Sequence, residues 1–150
     1  MSKQNKNTTF AKNKQMLKIE HIGIAVRKLA DADIIYTKLL NTAPYKHEGV
    51  ESEGVITSFF QIGDAKIELL EATNDDSPIA KFIARKGEGI HHIAYEVADI
   101  RAEMRRLQLE GFELINEEPK KGADNKLVAF LHPKSTSGVL VELCQEIKNY

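Results

Sequence analysis

Lys18-Ile-Glu-His-Ile-Gly-Ile-Ala-Val26 returns as Gly89-Ile-His-His-Ile-Ala-Tyr-Glu-Val97, which aligns His21 with His92 at a separation of 71 positions. Each copy leads on to an apolar strand holding one carboxylate, Ala65-Lys-Ile-Glu-Leu-Leu70 and Val139-Leu-Val-Glu-Leu-Cys144, so Glu68 aligns with Glu142 at a separation of 74. The small difference fits a longer turn in the second copy. Two modules that each give one His and one Glu from strand positions are what a metal site on a pseudo-twofold axis requires.

Working outward from the repeat, the first module reads as strand 19–26, helix 31–40 with apolar spacing through Ile34, Ile35, Leu39 and Leu40, a stop at Asn41-Thr-Ala-Pro44, a polar stretch to Gly54, and strands 55–61 and 66–71. Ser77 and Pro78 give an N-cap and first-turn signal for a connecting helix over 78–85. The second module repeats the order as strand 90–97, helix 99–109 stopped by Gly111, strand 112–116, a charged loop 117–125, strand 126–131 and strand 139–144. The expected fold class is α+β, with tandem βαβββ modules forming a curled eight-stranded sheet around a metal cleft. Residues 1–16 read as a disordered N-terminal extension without acidic residues. Residues 17–148 read as one domain, with module one at 18–72, the linker helix at 74–88 and module two at 89–146. At this length neither half alone buries enough apolar surface, so the modules are expected to share one core.

With 21 basic and 22 acidic residues the net charge is −1, which gives no electrostatic case for nucleic acid or an anionic membrane surface. No run approaches the length of a membrane span and no signal-peptide apolar region follows the N-terminal lysines, so a cytoplasmic protein is expected. The alternative is the mitochondrial matrix, should residues 1–16 act as a transit segment. The single cysteine, Cys144, forms no internal disulfide and fits a buried strand position in a reducing compartment.

Glu68 and Glu142 sit inside otherwise apolar strands, where an uncompensated carboxylate costs several kcal/mol. A divalent cation held by His21, Glu68, His92 and Glu142 compensates both. Two imidazoles and two carboxylates suit Co2+, Mn2+, Ni2+, Fe2+ or Zn2+, and leave two positions open on a six-coordinate ion. His91 aligns with Glu20, and strict alternation sends it to the face opposite His92.

The repeat and the His/Glu quartet resemble the vicinal-oxygen-chelate superfamily, to which glyoxalase I belongs. Within it, the stretches at 19–26, 65–70, Asp76-Ser-Pro-Ile-Ala-Lys-Phe82, 89–97, Phe130-Leu-His-Pro-Lys134 and Gly138-Val-Leu-Val-Glu-Leu143 are similar to the methylmalonyl-CoA epimerase family. The resemblance implies interconversion of the 2R and 2S forms of methylmalonyl-CoA, a divalent metal, most often cobalt, and a homodimer. Moving the α-proton opposes a gap of about ten pKa units, on the order of 14 kcal/mol, whereas one oxyanion-hole donor supplies about 3–4 kcal/mol. That difference calls for a metal.

Inversion needs an acid/base on each side of the planar intermediate, and the pseudo-twofold offers Glu68 and Glu142 as the catalytic pair. Some family members place a Glu in the strand that here holds Thr57, which leaves Glu48, Glu51 and Glu53 as reserves. Lys120, Lys121, Lys126 and Lys134 are candidates for CoA phosphates, and His132 for the substrate site. The alternatives are a glyoxalase-type isomerase or lyase, a dioxygenase, or a non-catalytic ligand-binding module on the same fold.

Overall fold

The computed structural model describes residues 16–148; residues 1–15 of the expected N-terminal extension lie outside the described residues. The chain runs β1 (Lys18–Ala25), α1 (Leu29–Leu40), β2 (Lys46–Val50), β3 (Val55–Ile62), β4 (Ala65–Ala72), α2 (Pro78–Lys86), β5 (Gly89–Glu96), α3 (Ile100–Leu109), β6 (Lys120–Lys121), β7 (Lys126–Leu131) and β8 (Val141–Glu146). These strands form one eight-stranded mixed sheet in the order β2-β3-β4-β1-β5-β8-β7-β6. In each module the first strand pairs in parallel with the last, β1 with β4 and β5 with β8, and the two first strands meet antiparallel at the centre. Ile22 pairs with Ile93, its own counterpart in the repeat, so the pseudo-twofold axis passes through that pair.

The sheet curls as a half-barrel with α1 and α3 on its convex side and α2 packed at the edge of the concave side through Ile79, Val55 and Leu70, and the expected architecture stands. Its contents differ in four places. The polar stretch after Pro44 contains β2, whose exposed edge position needs no apolar alternation. Residues 112–116 are not a strand: Leu114 makes one isolated bridge to Leu131, and the outer strand of the second module is the two-residue β6. On α1 the buried face is Leu29 and Ala32, with Tyr36 and Leu40 packed beside them, whereas Ile34, Ile35 and Leu39 are exposed. This helix is apolar on two sides, so periodicity by itself selects neither.

The modules do not share one core. One cluster joins α1 to the outer face of the first half-sheet through Val26, Leu29, Ala32, Phe60 and Leu69. Another joins α3 to the second half through Val97, Ile100, Met104, Leu107, Leu131 and Leu143. The β1–β5 ladder is what the halves share, and its hydrogen bonds lock their relative position. Local signals for α2 and α3 match the structure: the side chains of Ser77 and Asp99 accept hydrogen bonds from Ala80 N and Ala102 N.

Candidate active site

The concave side of the sheet is an open cleft of about 570 Å³, with His21, Glu68, His92 and Glu142 at its floor. All four side chains are buried. Nε2 of His21 lies 2.9 Å from Nε2 of His92 and 2.9 Å from Oε2 of Glu142, and the His92 nitrogen lies 3.9 Å from that oxygen. Glu142 Oε2 is off the line that a hydrogen bond from His21 needs and has no hydrogen-bond partner among the described residues. Neighbouring ligands of an ion with bonds about 2.1 Å long stand about 3 Å apart. These three side chains therefore fit a divalent cation, with the orphaned carboxylate oxygen aimed at it.

Glu68 is placed differently. Its Oε2 is 2.9 Å from Nδ1 of His21, on the opposite edge of the ring, where Glu20 Oε1 also sits at 3.2 Å. The two triads, His21–His92–Glu142 and Glu20–His21–Glu68, share the His21 ring.

Gly23 and Ala94 explain how two imidazoles fit side by side. His21 pairs across the ladder with Ala94, and His92 with Gly23, so a small residue faces each ring. The Gly23 position has no room for a methyl group, since a Cβ there would lie 2.1 Å from Cε1 of His92. The expectation that His91 faces away is corrected: it lines the cleft, with Nδ1 3.0 Å from Nδ1 of His92. Alternation hid it because it sits in a β-bulge. Glu20 was missed for the same reason, and the only signal in the sequence was that the two residues align in the repeat.

The charges divide the site. Burial alone would lower His21, but the charges of Glu68 and Glu142 outweigh it and hold the imidazole well above its ordinary value. Burial pushes His92 down to about 3 and His91 down to about 4, so both are neutral near pH 7. Burial raises Glu68 above the usual carboxylate range. At Glu142 burial acts in the same direction, but His21 outweighs it and the carboxyl is held below that range. Burial would also raise Glu20, yet the His21 hydrogen bond and the Lys66 charge bring it down to about 2. Environments that push two carboxyls apart are typical of acid/base pairs.

One side of the cleft is closed by the loop before β7. Asp124 accepts hydrogen bonds from Lys46 and Lys66, both 2.6 Å, and its own N–H donates to Glu48 at 3.2 Å. Burial would raise the Asp124 carboxyl, but the two lysines overcome it and hold the group below the ordinary aspartate range. A depressed value stabilises the fold above the unfolded pKa of about 4 and loses that stabilisation as acid protonates the folded group. Asp124→Asn is expected to lower stability at pH 7 by on the order of 1 kcal/mol. The gap in Tm between parent and variant should close towards pH 3, and a gap of equal size at both pH values would exclude the carboxylate charge as its cause.

Other candidates resolve by position. Of the three reserve acids only Glu53 lines the cleft, and it is ion-paired with Lys120. Glu48 is engaged with Lys46 and the Asp124 backbone, and Glu51 is exposed in the turn before Gly54. Lys126 is corrected from a phosphate contact to a buried residue 3.8 Å from Glu96, because its strand position turns it inward. Lys134 pairs with Glu113, and Lys121 is exposed on β6. His132 is corrected as well: it is absent from the cleft lining and caps its turn through the Lys134 N–H. Cys144 is buried as expected.

A curled sheet of paired modules with a His/Glu floor defines a superfamily, and residues 20–130 match the Glyoxalase/Bleomycin resistance protein/Dioxygenase superfamily, to which this chain belongs. Within it several similar proteins are named methylmalonyl-CoA epimerases, an isomerase class. The chain is 40% identical over 129 residues to the mitochondrial methylmalonyl-CoA epimerase of Homo sapiens, covering 85% of this chain and 73% of that protein. It is 41% identical over 130 residues to the ethylmalonyl-CoA/methylmalonyl-CoA epimerase of Cereibacter sphaeroides, covering 85% and 97%. Among solved structures, Streptomyces coelicolor methylmalonyl-CoA epimerase in complex with 2-nitronate-propionyl-CoA superimposes with a TM-score of 0.84 at 34% identity, over 87% of this chain and 98% of that one.

Proposed function

We propose that this protein is a metal-dependent epimerase that interconverts (2R)- and (2S)-methylmalonyl-CoA by moving the α-proton between two faces. The observation that carries this reading is the convergence of His21, His92 and the unpartnered Glu142 oxygen at the floor of an open cleft, in a chain whose relatives bear that name. His21, His92 and Glu142 would hold the ion, with Glu68 completing the set; Co2+ is the first choice, and Mn2+, Ni2+, Fe2+ and Zn2+ fit the same donors. A divalent cation bound there would stabilise the negative charge that develops on the thioester oxygen when the α-proton leaves.

The chain's own groups do the rest. Glu68 and Glu142 approach from opposite edges of the His21 ring, each on the same strand position of its module. A carboxylate that gives one oxygen to an ion keeps a second for a proton, so Glu142 would remove the proton on one side and Glu68 return one on the other; burial raises Glu68 while the His21 charge lowers Glu142, which sets the two carboxyls apart. The reverse reaction exchanges their roles. Apolar Val55, Leu70, Ile79, Val128 and Phe130 line the cleft and keep water from competing for the planar intermediate.

Thr57 makes the cleft asymmetric. Phe59 pairs with Glu68 and Phe130 with Glu142, so Thr57 and Val128, each two residues earlier, face one another across the pseudo-twofold. The Thr57 hydroxyl is buried without a hydrogen-bond partner among the described residues, which suits a donor to a substrate oxygen. Thr57→Val keeps the volume and is expected to raise KM for methylmalonyl-CoA about tenfold, as loss of one hydrogen bond to a charged group implies, with Co2+ affinity unchanged. An unchanged KM would remove Thr57 from substrate binding.

A homodimer and a cytoplasmic location belong to the same proposal. Exposed Leu17, Ile19 and Ile90 support the first; among the described residues no helix is long and apolar enough to cross a membrane. Proton NMR of methylmalonyl-CoA in D2O tests the function, with chelator-stripped protein before and after Co2+ is added. Metal-restored α-deuteration is expected. A folded, Co2+-loaded protein that leaves the α-proton in place would overturn the substrate assignment and move a glyoxalase-type reaction to first place.

A further inference from the structure

The central ladder contains two bulges at the same position of the repeat. Ile19 pairs with Tyr95 and His21 with Ala94, which leaves Glu20 with no residue opposite; Gly23 pairs with His92 and Ile24 with Ile90, which leaves His91 with none. A bulge sets two consecutive residues against one and breaks the alternation of faces. Each extra residue therefore brings its side chain round to its neighbour on the cleft side. Glu20 Oε1 hydrogen-bonds Nδ1 of His21 at 3.2 Å, and Nδ1 of His91 hydrogen-bonds Nδ1 of His92 at 3.0 Å. The remaining nitrogens, Nε2 of both rings, face each other beside Glu142.

An imidazole that gives a lone pair to a metal must carry its proton on the other nitrogen, and an acceptor placed there fixes both tautomer and ring plane. The geometry points to Glu20 and His91 as positioning residues, each holding Nδ1–H of the adjacent histidine so that Nε2 of His21 and of His92 presents its lone pair to the ion; this rests on the reading of the site as a metal centre. The acceptors are themselves held. Lys66 reaches Glu20 at 3.3 Å, and the His91 ring packs edge-on against Phe82 at 5.0 Å between centroids. Glu68 Oε2 also stands 2.9 Å from Nδ1 of His21, but it is Glu20 that meets this nitrogen in hydrogen-bond geometry. One bulge supplies a carboxylate and the other a neutral ring, so the two ligands differ in basicity although the repeat makes them equivalent in position.

The test is Co2+ affinity, by calorimetry or by the visible absorption of the bound ion, for the full chain and four variants. Glu20→Ala and His91→Ala are expected to bind Co2+ about 10- to 100-fold more weakly. Glu20→Gln and His91→Asn keep an acceptor oxygen in place and are expected within about threefold of the parent, since the acceptor is what orients the ring. In the Zn2+-loaded protein, 15N NMR should show Nδ1 protonated in both His21 and His92. Parent-like affinity in the Ala variants, or equal weakening in folded Ala and amide variants, would overturn the inference. A parent that binds Co2+ but does not exchange the α-proton overturns the substrate reading alone. A parent that takes up no ion overturns both.

Discussion

Gly23→Ala should abolish the metal site while leaving the fold in place. The added methyl carbon would lie 2.1, 2.5 and 2.7 Å from Cε1, Nδ1 and Nε2 of His92, well inside contact distance. The ring cannot make room by a small shift within the site, because His21, His91 and Phe130 stand around it with centroids 5.1, 5.3 and 6.1 Å away. The backbone cannot yield either, since Gly23 and His92 are paired in the ladder that joins the modules. One ligand must leave. Changes that only misorient a ligand cost 10- to 100-fold in affinity, so displacing one is expected to cost at least about 100-fold for Co2+, with α-deuteration falling in parallel. Circular dichroism should remain that of the parent, with a lower Tm from overpacking. Parent-like Co2+ binding in this variant would show that His92 does not hold the ion where the ladder puts it.

Glu142→Gln separates binding from proton transfer. The amide keeps the shape of the side chain and one oxygen that can face the ion, but it can no longer take or give a proton. Positioned acid–base groups contribute about 10² to 10⁴ in rate, so epimerisation is expected to fall by on the order of 10³. The informative readout follows each epimer separately in D2O. If Glu68 and Glu142 serve opposite faces, the epimer whose proton points to Glu68 should still exchange with retention, and the other should be inert. Glu68→Gln should invert that pattern. Equal loss of exchange from both epimers in each variant, with Co2+ still bound, would remove the two-carboxylate mechanism.

Much of this protein is legible because it repeats itself. The two copies of the His strand and the Glu strand suffice to infer paired modules, since identical patterns fold into identical units and two such units must meet symmetrically. Local rules placed α2, where Ser77 satisfies a backbone N–H group that a helix start always leaves free, and Gly111 marked the end of α3. The reading failed where one pattern had two physical solutions. Ile34, Ile35 and Leu39 have helical spacing, but the sheet packs against the other side of α1. β2 carries few apolar residues and exists because β3 supplies its hydrogen bonds.

The order of residues alone pointed to His21, Glu68, His92 and Glu142 lining one cleft, because His and Glu at matched positions of a repeat lie on equivalent strands of the paired modules. Only the tertiary structure decided which atoms they present. Register in the β1–β5 ladder sets Gly23 under the His92 ring, the bulges turn Glu20 and His91 onto the Nδ1 edges of the adjacent histidines, and Glu68 ends on the far edge of His21 from Glu142. Register and bulges arise from hydrogen bonding between strands that are distant in sequence, and no local pattern of residues encodes them.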